Sequence, residues 1–354
     1  MWRASWHCPR TTRRLRPDEP RRVLCHGWSS AEPEAAGGVL PAEIGASRAS
    51  PGARTSAGTL SCPDAESACI LERCDVPRSF LARLLSLLPK SLLSSWVGRA
   101  VHAPLPPPVA RRAVALFAHW YQINLAEAEL PLADYPTIGA LFSRRLTPGA
   151  RPIGAGPVHP VDALITASGP IDQHTLLQGK GHTYTLEELV PHPQVAGSFA
   201  QGSFLTYYLC PTDYHRVHVP VDGAVTWSCH IPGAFWPVNA WGVQQVPKLF
   251  CVNERVVTLL QSPQGPVAVV MIAAMHVGQI TLAYDPRITT TRRGPRRPST
   301  ETVYTPPLPL AKGAELGIFH MGSTVIVLFA PGVLSCEVGP LQGRRVHMGE
   351  ALHT

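Results

Sequence analysis

The chain has 354 residues, 45% hydrophobic and 16% charged, which suits a large folded domain and excludes general disorder. No apolar run approaches the roughly 18 residues of a spanning helix. The net charge is +7, but seven Arg against Asp18 and Glu19 place +5 of it in residues 1–22, and the remaining +2 excludes a nucleic-acid footprint.

Residues 1–77 are rich in Ala, Gly, Pro, Ser and Arg and lack periodicity. They read as a disordered extension, as the product of an upstream start codon or as a targeting segment. The acidic residues Asp18, Glu19, Glu32, Glu34 and Glu43 weaken a transit-peptide reading. Five of the nine Cys fall before residue 75, and the other four are singletons without a CxxC pair. That usage predicts a reducing compartment with neither a disulfide framework nor a zinc ribbon.

Residues 78–130 form a helical segment. Two short leucine-rich helices over 79–88 and 91–97 are separated by Pro89. A third is predicted over Val109–Ile123, with Val114, Phe117, Trp120 and Tyr121 on one face. Two readings fit: a hairpin packed on the core, or an interfacial membrane anchor with Arg83, Lys90 and Arg99 toward anionic headgroups.

From about residue 158 the pattern becomes β. Strands are predicted at Ala163–Ile171, Ser203–Leu209, Arg216–Val219, Ala224–Ile231, Arg255–Leu260, Val267–Met275, Gln279–Tyr284 and Val325–Phe329. Turn residues at 220–223, 231–233 and 262–266 separate them. Residues 286–311, with Arg292, Arg293, Arg296, Arg297 and several Pro, read as a mobile basic loop. The expected fold is α+β: amphipathic helices, then a mainly antiparallel sandwich or barrel-like catalytic domain over 131–354.

Three constellations carry chemistry. Gly322-Ser323-Thr324 precedes the last strand, too late and without the frame of a hydrolase nucleophile elbow. Asp213-Tyr214-His215-Arg216-Val217-His218-Val219-Pro220 places two His on opposite faces of a strand, which suits two tasks better than one shared metal. His159-Pro160-Val161-Asp162 sets an Asp at a strand start, where it is most often a turn-former.

In this order the three resemble the phosphatidylserine decarboxylase family of pyruvoyl-dependent proenzymes. Further matches are Phe142-Ser143-Arg144-Arg145-Leu146 with Arg151-Pro152-Ile153, Lys180-Gly181-His182-Thr183-Tyr184-Thr185-Leu186, Pro237-Val238-Asn239, and Leu249-Phe250-Cys251-Val252-Asn253-Glu254-Arg255-Val256-Val257. The resemblance runs from about residue 80 to the C-terminus. Two positions depart from it: Ala163 stands where the family has Gly, and Met321 where Leu is common. Ala resists φ > 0, so the turn at Asp162 is the place to look for a consequence.

The resemblance implies self-cleavage between Gly322 and Ser323 into a β chain, 1–322, and an α chain, 323–354, with a covalent pyruvoyl group derived from Ser323. It implies no metal and no PLP. His218 is the expected base for Ser323, Asp162 its orienting partner, His215 the residue assisting decarboxylation or protonation, and Thr324 a positioning residue. Gly322, lacking Cβ, is expected to permit close attack and a strained peptide. The implied reaction turns phosphatidylserine into phosphatidylethanolamine and CO2. The implied partners are phosphatidylserine, an anionic membrane surface, the two chains of one precursor and a second copy as a homodimer. The location implied is peripheral, at a bacterial cytoplasmic or mitochondrial inner membrane. The rival readings are a serine hydrolase using Asp162, His218 and Ser323, a decarboxylase of a related serine-headed lipid, and a non-enzymatic binder.

Overall fold

The last long apolar run, Ser323–Phe329, becomes the centre of the molecule. All seven of its residues are buried, as a continuous apolar strand with neighbours on both sides and both faces requires. Each buried Val, Ile, Leu or Phe contributes about 1.5–3 kcal/mol. In the computed structural model the described residues are 99–354, apart from 173, 180, 181, 276–278, 289, 291–297, 321, 335–340, 353 and 354. The extension at 1–77, the leucine-rich helices at 79–97 and the arginines at 292–297 lie outside them.

Six α-helices and thirteen strands, with a 3-10 turn at Leu132–Asp134 and helical residues at 99–102, organise the described chain. The helices are α1 (Pro107–Trp120), α2 (Ile138–Phe142), α3 (Leu186–Leu189), α4 (Pro193–Gly197), α5 (Ala240–Gln245) and α6 (Leu249–Val252). The strands are β1 (Ala163–Pro170), β2 (Thr175–Gly179), β3 (His182–Thr185), β4 (Ser203–Leu209), β5 (Arg216–His218), β6 (Gly223–Ile231), β7 (Arg255–Ser262), β8 (Gly265–Ala273), β9 (Ile280–Leu282), β10 (Thr300–Leu310), β11 (Glu315–Phe319), β12 (Ser323–Phe329) and β13 (Arg345–Val346).

Eight strands form one antiparallel sheet in the order β10-β6-β7-β8-β12-β4-β1-β13. A second sheet has the order β5-β11-β9, and β2 pairs with β3. The fold is α+β and mainly antiparallel. The barrel expectation is corrected, because the large sheet stays open with β10 and β13 as its edges. At Gly317 on β11 a Cβ would lie 2.7 Å from the Thr281 carbonyl of β9 and 3.0 Å from the Met271 sulfur of β8, so the close backbone approach within the second sheet requires glycine.

Two further corrections concern local structure. Thr300–Leu310 is a strand, not part of a loop. It is an edge strand paired only with β6, and its register breaks between Val303 and Leu308, across Pro306 and Pro307. An edge tolerates proline, which has no N–H to donate. On α1, Val114 is buried and Phe117 and Tyr121 are half-buried, but Trp120 points outward at 75% exposure. Ala163 opens β1 opposite Val346 and is not among the residues with positive φ, so the departure from Gly leaves the strand start undistorted.

Candidate active site

Register places the reactive triplet. Ser323, first residue of β12, pairs with Leu209 at the end of β4 and with Ala273 at the end of β8. From Leu209 the chain turns through Cys210–Tyr214 into His215 and β5. The Asp213 side chain closes this turn by accepting the Cys210 N–H at 2.8 Å. The Phe319 N–H donates to the His215 carbonyl at 3.1 Å, which ties the segment before the triplet to the first histidine. Ser323 and Thr324 are buried, and among the described residues neither hydroxyl has a hydrogen-bond partner. Buried polar groups are normally paired, so two adjacent orphans at a strand end mark a site rather than scaffold. A Cβ on Gly322 would meet nothing within 4 Å, and its φ is not left-handed. Neither crowding nor strain therefore requires glycine at 322 in this conformation, contrary to expectation.

The two histidines occupy different surroundings, as their spacing predicts. His215 is fully buried, and its ring centroid lies 3.9 Å from that of Phe142. Its Nδ1 lies 2.9 Å from the Asp213 carbonyl, so Nδ1 carries the proton, while Nε2 has no partner. Burial pushes its pKa down to about 3, against the opposing pull of that carbonyl. At neutral pH His215 therefore holds an unshared lone pair in a dry setting.

His218 donates from Nδ1 to the Gly313 carbonyl at 2.8 Å, and its Nε2 accepts the Tyr214 hydroxyl at 3.0 Å. The Tyr214 and His218 rings stack 5.6 Å apart. Burial lowers the His218 pKa, and the Gly313 carbonyl opposes the shift. Tyr214 lies within the two-histidine motif, but nothing in the sequence assigns it a role.

Asp162 is close in the chain path but engaged elsewhere. The His218 N–H donates to the Pro160 carbonyl at 2.9 Å, two residues before Asp162. The carboxylate accepts Arg151 Nε at 3.0 Å, Arg151 Nη2 at 2.6 Å and the Met348 N–H at 2.8 Å, with His347 Nδ1 at 3.6 Å. Burial alone would raise its pKa, but the His347, Arg151 and Met348 donors outweigh it and hold the carboxyl well below the ordinary range. Arg151 also reaches Glu127 at 2.8 Å. Among the described residues no hydrogen bond links Asp162 to His218 or His218 to Ser323. The Ser-His-Asp chain that both the hydrolase and the self-cleavage readings invoke is therefore not hydrogen-bonded in this conformation.

The Asn253-Glu254-Arg255 block braces this end of the sheet. Asn253 Nδ2 donates to the Ala273 carbonyl, opposite Ser323, and to the Trp236 carbonyl, both at 2.9 Å. Glu254 pairs with His230 at 2.7 Å in the buried interior. Arg255 donates to the Leu189 and Glu188 carbonyls, each at 2.8 Å.

A family model described as phosphatidylserine decarboxylase matches residues 138–354. A phosphatidylserine decarboxylase proenzyme of Myxococcus xanthus is 44% identical over 252 residues, covering 70% of this chain and 89% of its own length. The proenzyme of an Anaeromyxobacter species is 43% identical over 274 residues, with coverages of 76% and 95%. That of Brevibacillus brevis is 36% identical over 282 residues, with coverages of 78% and 98%.

Proposed function

The chain belongs to the phosphatidylserine decarboxylase family, and from that premise we propose that it is a proenzyme that cleaves itself at Gly322–Ser323 and converts phosphatidylserine to phosphatidylethanolamine and CO2. The observation that carries this reading is the buried, unpartnered Ser323 hydroxyl at the head of the central strand.

Ser323 Oγ attacks the Gly322 carbonyl carbon, and the peptide nitrogen leaves as a free amine, giving an ester. Loss of the Ser323 Cα proton expels the Gly322 carboxylate and leaves dehydroalanine at 323. Water then releases ammonia and leaves a pyruvoyl group. The residues fit that group: its position is buried, and beside it the Thr324 hydroxyl has no hydrogen-bond partner among the described residues. Once formed, the group supplies the carbonyl that takes up the substrate amine and the electron pair left by CO2.

The proton steps fall to the histidines. His218, kept neutral by burial, is the base for Ser323. Its Nε2 must exchange the Tyr214 hydroxyl for that of the serine. Asp162 supports it through the Pro160 backbone bond and through its negative charge, which favours proton uptake by His218. His215 Nε2, also neutral, takes a proton from the substrate ammonium and returns it to the carbon that has lost CO2.

The substrate stays in its bilayer, so the enzyme must reach a membrane surface. Val109, Leu116 and Trp120 share an outward face of α1 and are 50%, 52% and 75% exposed, with Arg111 and Arg112 exposed beside them. This face is the surface that meets anionic lipid. Replacing Leu116 and Trp120 together by Glu is expected to weaken co-sedimentation with anionic vesicles at least about tenfold. Unchanged binding removes α1 from the contact.

Intact-mass analysis tests the central reading. The wild type is expected as two chains, the smaller with a blocked amino terminus, and Ser323→Ala as one. A wild type that stays whole, or an α chain beginning with ordinary serine, ends the proposal.

A further inference from the structure

Arg144 is a cation that the fold buries with only partial compensation: burial lowers its pKa, and Asp162, Asp213 and Glu127 support its charge without pairing with it. It follows α2 and is only 4% exposed. Its Nη2 donates to the Thr212 carbonyl at 3.2 Å, but Nε and Nη1 have no hydrogen-bond partner. Among the described residues no carboxylate forms an ion pair with it. Arg255 shows the usual solution at 3% exposure, with its donors spread over four backbone carbonyls. An arginine buried with unused donors calls for an anion.

The location says which site that anion occupies. Thr212 lies in the turn that leads from Leu209, opposite Ser323, to His215. Phe142, two residues before Arg144, packs its ring on His215. The guanidinium is thus anchored to the same short turn that carries the decarboxylation histidine.

We propose that Arg144 binds the phosphodiester of the lipid headgroup, an inference that rests on the phosphatidylserine reading above. The substrate offers two anions, and the chemistry separates them. The serine carboxylate must lose its charge as CO2 departs, so a cation held on it stabilises the ground state more than the transition state and slows the reaction. The phosphodiester keeps its charge throughout, so binding it lowers KM without opposing catalysis. Arginine suits such a group because its charge persists in a buried setting and its planar donors match phosphate oxygens.

The test uses the self-cleaved full-length enzyme with Arg144→Met and Arg144→Lys. Both are expected to cleave like the wild type. Arg144→Met should raise KM for short-chain phosphatidylserine about 10- to 100-fold with kcat nearly unchanged, and Lys should restore part of the loss. Glycerophosphoethanolamine carries the phosphodiester and the amine but no carboxylate. Its calorimetric binding should weaken in Arg144→Met by the same factor as the KM change. Thermal stability of Arg144→Met should equal or exceed that of the wild type, because an unpaired buried charge is removed.

Unchanged KM overturns the proposal. So does glycerophosphoethanolamine binding that is indifferent to the substitution, which makes the carboxylate the ligand. Lowered stability with failed cleavage assigns Arg144 to scaffold and also overturns it. Arg144-dependent binding of glycerophosphoethanolamine by a wild type that releases no CO2 from phosphatidylserine supports the anion site while ending the substrate reading.

Discussion

Asp162 and His215, both assigned to the proposed reaction, are treated oppositely by the fold. The Asp162 carboxylate is saturated by Arg151, the Met348 N–H and nearby His347. The His215 end holds a bare imidazole nitrogen, two hydroxyls without partners and a guanidinium with two unused nitrogens. A saturated buried group has no capacity left for a substrate, so its work is to hold position. An unsaturated one is unstable in isolation and gains when a ligand or a reacting atom arrives. The difference divides the sequence motifs into those that build the sheet end and those that act there.

The sharpest challenge to this division is His215→Asn. If His215 moves protons for the substrate and not for cleavage, the variant still splits into two chains while its decarboxylation rate falls about 10²- to 10⁴-fold. Loss of cleavage together with turnover would merge the two ends into one machine. The same variant has a pH signature. The folded His215 stays neutral down to about pH 3, whereas an unfolded histidine titrates near 6.5. Its contribution to stability is thus complete above pH ~6.5 and is lost as pH falls toward 3. Asp213, pushed up to about 6 by burial despite Arg345, contributes the opposite slope between its ordinary value and 6. Asp213 is present in both proteins, so comparing wild type with His215→Asn isolates the histidine. By pH 4.5 the isolated loss of stability amounts to about 2–3 kcal/mol, read by urea unfolding.

The sequence announced the same division only in part. Strands β4, β6, β7, β8 and β12 were legible because long apolar runs between turn residues have few other solutions. Thr300–Leu310 was hidden because its three prolines argue against a strand unless one knows that it forms an edge. Trp120 shares a predicted face with Val114, Phe117 and Tyr121, but the structure turns it outward, because helical spacing alone does not fix the edge of the face that meets the core. Ser323, His215 and His218 stood out through residue type and order. Arg144, Arg151 and Tyr214 were visible as letters in motifs, but their roles depend on partners up to 68 residues away, such as Thr212, which periodicity cannot report. Asp162 was read as a direct partner of His218 because the triad pattern is familiar, and the pattern alone does not show that Arg151 already holds it.

Asp162→Asn tests the quieter side of the division. Asn keeps the shape and can still accept the Met348 N–H. Its amide nitrogen, however, then faces the Arg151 donors, and Arg151 is left with Glu127 as its remaining carboxylate. Breaking a buried pair by removing one partner costs about 3–5 kcal/mol, and the surviving Glu127 contact should reduce that to roughly 2–3 kcal/mol. The folded Asp162 pKa lies well below the unfolded value, so the wild type's advantage is complete above pH ~4, shrinks as pH falls below that and is fully lost only beneath the depressed folded value; at pH ~3 it is reduced, not abolished. Urea unfolding at pH 7 and pH 3 checks both the size and the sign. Cleavage by the folded fraction should slow by no more than about tenfold, since among the described residues Asp162 hydrogen-bonds to neither His218 nor Ser323 and acts on the base through charge and backbone. A much larger loss of cleavage at undiminished stability would mean that the carboxylate leaves Arg151 to orient His218 directly. The saturated end would then be the reserve of the reactive one, and the contrast between them a property of the resting state alone.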